Sequence, residues 1–358
     1  MNKNWNKTRV SDVLGIKYPI LQGPMGGGLS SSRLVSAVSN FGGLGGYGAY
    51  KLQPEEIRVL DSEIKSFTSK PYNINLWVND VDEISSIGEI KYQKVVNLFK
   101  PFFEELNVPI PEQPKKVQSK FEKQVETILQ LRPPAFSFVF GIPSKEILLE
   151  CKRQGIVTIG TATTLDEGLA LEAAGVDLIV ASGFEAGGHR PSFIKSSTDS
   201  FVGTFVLVQQ IANRVKTPVI AAGGIANADG ILAAFNLGAS GVQMGTAFLA
   251  SEESGASKEY RNLLFSKMAK NTMVTAAFTG RMGRGISNVI SNATKYTMAL
   301  PFPLQTHFME PLLKAAIAQG KHEMVFFWAG QIATNIKSGS AKEILETMIS
   351  DIDNRQLF

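Results

Sequence analysis

The sequence has little cysteine and histidine, and it has no long apolar segment. Of its 358 residues, one is cysteine (Cys151) and three are histidine. A single cysteine cannot form a disulfide within the chain, which is typical of a reducing compartment. No stretch approaches the ~18 apolar residues of a membrane-spanning helix, and residues 1–15 lack the apolar core of a signal peptide. We therefore expect a cytoplasmic protein that does not enter the membrane.

The sequence also lacks a concentration of charge of one sign. Charged residues make up 19% of the chain and the net charge is +4, with no basic patch interleaved with aromatic residues. Nucleic acid is therefore not an expected partner. The 44% hydrophobic content is that of an ordinary globular protein with a packed core. Small molecules are the expected partners, and whether the chain forms a homodimer is left open.

Eight short apolar segments recur along the first 250 positions, most of them ending in glycine or another small residue. They are too short for helices and do not alternate strictly, which is typical of strands buried on both faces. Helix-length amphipathic segments separate most of them. This α/β pattern predicts a (β/α)8 TIM barrel rather than an open doubly wound sheet, because no G-x-G-x-x-G turn follows a strand. The predicted strands are 18–23, 42–48, 72–78, 135–141, 156–162, 177–183, 218–224 and 241–247.

Two regions do not fit the repeating unit. Residues 79–134 are charged and contain several prolines, so we expect an insertion after the third strand. Residues 251–358 follow the eighth strand and are mainly helical in pattern. The sequence therefore predicts a ligand-binding barrel over residues 1–250 and a smaller, mainly helical lobe over residues 251–358. We expect that lobe to fold over the barrel mouth as a lid.

The ligand site of such a barrel lies where its strands end. After the first predicted strand, "QGPMGGG" at 22–28 would either let a flat ligand lie against the backbone or form a tight strand-to-helix turn, and both interpretations are open. The loops after the seventh and eighth predicted strands carry Gly224 and the pair Gly245 and Thr246. In this fold those two loops commonly bind phosphate through backbone N–H groups. Their occurrence together predicts a phosphorylated ligand.

Two polar side chains are candidates for chemistry at these strand ends. Asn75 would point toward the barrel axis, where it would either satisfy core backbone groups or bind the edge of a heterocycle. His189 follows two glycines in "GFEAGGHRPSF", with no metal-ligand spacing and no nucleophile pattern around it. Its ordinary pKa of about 6.5 suits acid–base chemistry or hydrogen bonding to an anionic substrate. A structural role is the alternative.

Taken in order, these motifs resemble the nitronate monooxygenase family, the flavin enzymes also known as 2-nitropropane dioxygenase-like. The resemblance runs over nearly the whole chain and includes "GFEAGGHR", "PVIAAGGI", "GASGVQMGTAF" and "GRMGRGISN". It implies a TIM barrel that binds FMN, with no metal, and His189 as the base or substrate anchor. The cofactor-binding residues implied are Pro24, Met25, Asn75, Ser182, Gly187, Gly188, Gly223, Gly224, Gln243, Met244, Gly245 and Thr246.

The resemblance further implies that alkyl nitronates such as propionate 3-nitronate are oxidised with O2 through a flavin semiquinone. A second hypothesis is an NAD(P)H-dependent flavin reductase of the enoyl-acyl-carrier-protein reductase or quinone reductase type. A third is a non-catalytic flavin- or nucleotide-binding protein. Gly187 and Gly188 would keep the loop free of side chains so that the flavin can lie against it. The chain departs from the family pattern at Ser182, often Gln, and at Val139, where some members carry a second histidine.

Overall fold

The computed structural model describes residues 4–82, 88–113, 117–294 and 299–355. The strands are β1 Ile20–Gln22, β2 Gly45–Gly48, β3 Tyr72–Trp77, β4 Ala135–Val139, β5 Val157–Ala162, β6 Leu178–Ser182, β7 Gly188–His189, β8 Val219–Ala222, β9 Gly241–Met244, β10 Thr272–Thr275 and β11 Gly283–Ile286. The helices are α1 Arg9–Leu14, α2 Ser32–Phe41, α3 Pro54–Phe67, α4 Glu89–Glu105, α5 Phe121–Leu131, α6 Lys145–Gln154, α7 Leu165–Ala174, α8 Thr204–Ala212, α9 Ala228–Asn236, α10 Thr246–Leu249, α11 Lys258–Leu264, α12 Val289–Ala293, α13 Leu304–Ala318 and α14 Ala341–Arg355.

Eight of these strands are parallel and close into a barrel. Their order is β1-β9-β8-β6-β5-β4-β3-β2. The first and last strands of this order meet, since Leu44 N donates to Ile20 O at 3.0 Å and Gln22 N donates to Leu44 O at 2.9 Å. Each of the eight predicted segments contains one barrel strand, so the predicted TIM barrel is confirmed.

The barrel strands are apolar on both faces because each face packs against a different layer. One set of side chains, including Ile74, Phe136 and Ile179, packs toward the surrounding helices. The alternating set contacts Val10 and Leu14 of α1, so α1 closes the amino-terminal end of the barrel. This second set comprises Leu21, Leu44, Ala135, Ile159, Leu178, Val180, Ile220 and Ala222. Burial on both faces explains why the sequence shows apolar runs without alternation.

The last helix completes the ring of helices around the barrel. The barrel strand β9 is followed directly by α10, which has only four residues. Far along the chain, α14 packs against α2 and α9 and buries Ile344 and Leu345 in the same core as the barrel strands. Since α2 and α9 follow the first and seventh barrel strands, α14 takes the place of the missing eighth helix.

A second core joins the region after β3 to the region after β9. Phe308 of α13 contacts two rings of α4, with centroid distances of 5.7 Å to Phe99 and 5.3 Å to Phe103. All three rings are fully buried. Helix α4 of the predicted insertion and helix α13 of the C-terminal region are therefore packed together in one core. The predicted boundary at residue 250 stays a prediction.

A small antiparallel sheet, in the order β10-β11-β7, lies beside the barrel. In it Gly188 pairs with Arg284 and His189 pairs with Gly283. The sequence did not predict β7, because a strand of two residues has no periodicity to detect. Over the described ranges, no helix combines the length and apolar character needed to cross a membrane.

The position of α14 predicts the effect of truncating its buried face. Leu345 is fully buried, so Leu345→Ala should lower the free energy of unfolding by about 2–5 kcal/mol through the cavity it leaves. Urea unfolding measures this change. Ser350→Ala, at an exposed position of the same helix, is the control and should change it by less than about 0.5 kcal/mol. Equal effects of the two substitutions would show that α14 does not support the barrel core.

Candidate active site

A cavity of about 370 Å³ lies where the barrel strands end, within the usual size of small-molecule sites. The loops after the strands form its floor, and residues from the C-terminal region form its outer wall. Every site residue predicted from the sequence lines this cavity. These residues are Pro24, Met25, Asn75, Ser182, Gly187, Gly188, His189, Gly223, Gly224, Gln243, Met244, Gly245 and Thr246.

Asn75 presents an unused hydrogen-bond acceptor in the cavity. Its Nδ2 donates to Ser137 Oγ at 2.9 Å, and its Oδ1 has no protein partner among the described residues. Asn75 is 3% exposed and lines the cavity, and its Oδ1 is not among the unpaired side-chain oxygens that are sealed from solvent. The nitrogen of Asn75 therefore bonds a side-chain hydroxyl rather than core backbone groups, and its oxygen is available to the N–H group of a ligand, so the ligand role of Asn75 stays a prediction.

The two glycine loops leave backbone donors and space at one end of the cavity. The N–H groups of Gly224 and Gly245 donate to no acceptor within the described part of the chain. A Cβ atom built on Gly245 would have no other atom within 4 Å. The nearest carboxylate, of Glu185, already accepts hydrogen bonds from Thr204 N and Thr204 Oγ1, both at 2.8 Å. This combination of free N–H groups and open space suits an anionic group such as phosphate.

His189 is held at the cavity wall by strand pairing on one side and aromatic rings on the other. Next to the pair formed by β7 and β11, Arg190 N donates to Met282 O at 2.8 Å. The imidazole centroid lies 5.0 Å from that of Trp77 and 4.7 Å from that of Trp328. Its Nε2 lies 2.9 Å from Thr279 Oγ1. One ring nitrogen is therefore engaged by Thr279, and the other has no partner among the residues that the structure describes.

Burial, followed by the positive charges of Arg281 and Lys51, lowers the pKa of His189 from 6.5 to about 3. The aromatic surroundings supply the burial, and within the described ranges no carboxylate contacts the ring to favour its charged form. His189 is therefore neutral near pH 7 in the folded chain.

Each of the two glycines before His189 is required at its position for a different structural reason. A Cβ atom on Gly187 would lie 2.5 Å from Gly330 N and 2.6 Å from Ala329 C, so a side chain there would push the C-terminal wall away. Gly188 has φ 82°, which favours glycine. The close approach of the 329–330 backbone explains Gly187 without reference to a flavin.

Arg190 fixes the loop that carries His189. Its guanidinium is buried and donates to three backbone carbonyls: Ser182 O at 2.6 Å, Thr163 O at 3.2 Å and Ser200 O at 3.1 Å. Burial lowers the pKa of Arg190 to about 10, so it keeps its charge near pH 7. The arginine of the "GGHR" motif is thus a structural clamp between the loops after β5 and β6.

The sequence interpretation missed the aromatic wall of the cavity. Tyr50 stacks on Trp77 with a centroid distance of 3.8 Å, and Trp328 approaches from the C-terminal region. The Arg281 guanidinium lies 4.3 Å from the centroid of Phe140 and is bound by Asp82. Tyr50 and Trp77 follow or end predicted strands, so the rule that sites lie at strand ends could have found them. Trp328 had no such signal.

The fold and this cavity together define a TIM-barrel enzyme whose site lies at the carboxyl ends of the strands. The nitronate monooxygenase family model matches residues 7–351. A probable nitronate monooxygenase from Staphylococcus aureus strain Newman is 37% identical over 352 residues, 98% of each chain. The chain belongs to the nitronate monooxygenase family and is an oxidoreductase.

Two solved structures share this fold over almost the whole chain. The structure of a nitroalkane oxidase from Streptomyces ansochromogenes has a TM-score of 0.89 and 29% identity, covering 98% of this chain and 100% of that one. FabK from Thermotoga maritima has a TM-score of 0.76 and 29% identity, covering 98% and 97%. Among the residues that the structure describes, no group of His, Cys, Asp and Glu side chains could hold a metal ion.

The lowered pKa of His189 predicts a pH dependence of stability. The unfolded chain takes up a proton there near pH 6.5, whereas the folded chain does so only near pH 3. The contribution of neutral His189 to the free energy of unfolding is therefore complete above pH 6.5. It is lost as the pH falls toward 3, at up to about 1.4 kcal/mol per pH unit. Urea unfolding from pH 6.5 downward should show a shallower loss for His189→Asn than for wild type. His307→Asn, at an exposed position, should give the same curve of unfolding free energy against pH as wild type. Parallel curves for the wild type and both variants would refute the lowered pKa of His189.

Proposed function

We propose that the protein is an FMN-dependent nitronate monooxygenase that oxidises alkyl nitronates with O2. The observation that carries the proposal is His189, a neutral imidazole enclosed by aromatic rings at the cavity wall. One of its ring nitrogens has no partner in the described part of the chain. The membership of the chain in the nitronate monooxygenase family supports the proposed oxidation of nitronates. This reaction requires two partners, a small-molecule substrate and O2.

The residues of the cavity fit FMN at both ends of that molecule. The free N–H groups of Gly224 and Gly245 would bind its phosphate, and the free Oδ1 of Asn75 would accept from the N–H edge of its ring. Gln243, whose side chain makes no hydrogen bond within the described residues, would reach the same ring. When bound, FMN supplies the capacity to accept an electron from the substrate and to let oxygen react with it.

His189 would hold the substrate through its free nitrogen. A neutral nitroalkane would give its α-proton to that nitrogen. A nitronate arrives already deprotonated and negatively charged, so its charge opposes the effect of burial and favours protonation of His189. We therefore expect nitronate binding to be accompanied by uptake of one proton, which then lies between the imidazole and the substrate anion.

The outer wall of the cavity selects for an apolar substituent on the nitronate. Val139, Phe278, Leu313, Phe326 and Trp328 line it. These side chains exclude water from the substrate and strengthen the interaction of its charge with His189. Where some family members carry a second histidine, Val139 makes this wall more apolar. An alkyl nitronate combines the anion and the apolar group that such a site accommodates.

An NAD(P)H-dependent flavin reductase is the second candidate function. The likeness to FabK over almost the full length of both chains favours it. Anaerobic mixing of the FMN-loaded protein with NADH or NADPH separates the two functions. Rapid loss of the oxidised-flavin absorbance would support the reductase, whereas an unchanged spectrum would argue against it.

The open space at Gly245 predicts a variant that loses the cofactor and keeps the fold. The Cβ atom of the valine in Gly245→Val would have no protein atom within 4 Å, so we expect its side chain to occupy the space of the cavity. We expect FMN affinity to fall at least about tenfold, or about 1.4 kcal/mol. The free energy of unfolding without FMN should stay within about 1 kcal/mol of wild type.

Fluorescence titration with FMN measures the affinity, and Gly245→Ala should give a smaller loss as the matched control. Wild-type affinity in the valine variant would show that FMN does not bind at these loops.

The proposed reaction predicts oxygen consumption that depends on His189. The FMN-loaded wild-type protein should consume O2 with ethylnitronate or propionate 3-nitronate. His189→Asn should lower kcat/KM by about 10- to 100-fold, because a hydrogen bond to a charged group is worth about 1.5–3 kcal/mol. The visible spectrum of the variant should still show bound FMN. No oxygen uptake by the wild-type protein with either nitronate would rule out the proposed function.

A further inference from the structure

We propose that Thr279 is a positioning residue that holds His189 as the tautomer with its proton on Nε2, leaving Nδ1 as the nitrogen that accepts a proton. The catalytic importance of this tautomer rests on the proposed function, whereas the tautomer itself does not. Thr279 lies in "FTGRMGRG", a motif whose contact with His189 joins residues 90 positions apart.

The argument starts from the single proton of the Thr279 hydroxyl. Thr279 Oγ1 donates that proton to Arg281 O at 3.1 Å and accepts from Arg281 N at 3.4 Å. Only a lone pair is then left to face His189 Nε2 at 2.9 Å. Two lone pairs would repel each other, so Nε2 must carry the proton and donate it to Thr279 Oγ1. Nδ1 is the unprotonated nitrogen, and it has no partner among the described residues.

The surroundings of Thr279 keep its hydroxyl in this orientation. Its own N–H donates to Ala276 O at 3.2 Å, and Gly280 N donates to the same oxygen at 2.8 Å. Arg281, whose carbonyl accepts the hydroxyl proton, is fixed by Asp82 through Nε at 2.9 Å and by its position over the Phe140 ring. A chain of contacts from Asp82 through Arg281 and Thr279 thus ends on the imidazole.

The tautomer determines which part His189 can take in the reaction. The Nε2 proton is committed to Thr279, so neutral His189 cannot donate a hydrogen bond to a substrate anion. It can only accept a proton at Nδ1. That proton comes from the α-carbon of a nitroalkane, whose C–H electron pair forms the C=N bond of the nitronate while the N=O π pair moves onto oxygen, or from solvent when a nitronate binds. His189 therefore acts as a base, and its contact with the anion forms after protonation.

Nitrogen-15 NMR of histidine-labelled protein tests the tautomer directly. The chain has three histidines, so His189 can be assigned by the signal that His189→Asn removes. A ring nitrogen without a proton resonates far downfield of one that carries a proton. We expect Nδ1 of His189 unprotonated and Nε2 protonated in the wild type, and the same pattern in Thr279→Ser. Thr279→Val should shift both signals toward the averaged positions of a mixed population.

The control is Thr306→Val, which removes a hydroxyl that lines the same cavity and makes no hydrogen bond. It should leave the His189 signals in place. A protonated Nδ1 in the wild type, or unchanged His189 signals in Thr279→Val, would overturn the proposal. If the valine variant does not fold, the wild-type and serine spectra still decide between the tautomers.

Kinetics separate this proposal from the proposed function. Thr279→Val should lower kcat/KM for a neutral nitroalkane by about tenfold or more, and Thr279→Ser should restore it. If the wild-type protein oxidises neither nitroalkane nor nitronate, the proposed function fails while the NMR result still stands. If nitronates are oxidised and the serine variant does not restore the rate of the valine variant with nitroalkanes, the positioning role fails alone.

Discussion

The pairing of β7 with β11 is the contact on which the arrangement of the cavity depends. It consists of two residues on one side, Gly188 and His189, opposite Arg284 and Gly283. Through it a loop of the barrel becomes part of a sheet built mainly by the C-terminal region. The imidazole is thereby placed beside Thr279 from one direction and Trp328 from another. Without this pairing the barrel would still close, but its histidine would not meet the groups that define its chemistry.

The two arginines beside His189 are each held by other protein groups, which limits what they can do. The guanidinium of Arg190 donates its hydrogen bonds to backbone carbonyls. Arg190 therefore holds the loop and does not reach the substrate. Arg281 pairs with Asp82 and contributes positive charge near His189 without contacting it. Burial and these charges keep the imidazole neutral. His189 is therefore an unprotonated base, which would take a proton from a neutral nitroalkane, or from solvent when a negatively charged nitronate binds.

The sequence was informative about features that depend on residues close together in the chain. Strands such as β3 and β6 are buried on both faces, so their apolar runs were visible, and the glycines of the β8 and β9 loops mark strand ends. The site residues expected from these patterns all lie at one cavity. Contacts between distant segments could not be predicted in this way. Trp328 reaches the site through tertiary packing, α14 returns to the barrel after about a hundred residues, and Thr279 meets His189 across 90 positions.

The measurement that tests the central claim most directly is an anaerobic titration of the FMN-loaded protein with ethylnitronate. The visible spectrum of the flavin is recorded during the titration. Oxygen is absent, so any change in the flavin must come from electrons of the nitronate. The account predicts that the oxidised-flavin absorbance is lost on adding ethylnitronate and returns when air is admitted. A flavin spectrum that ethylnitronate leaves unchanged, while NADH or NADPH bleaches it, would contradict the account.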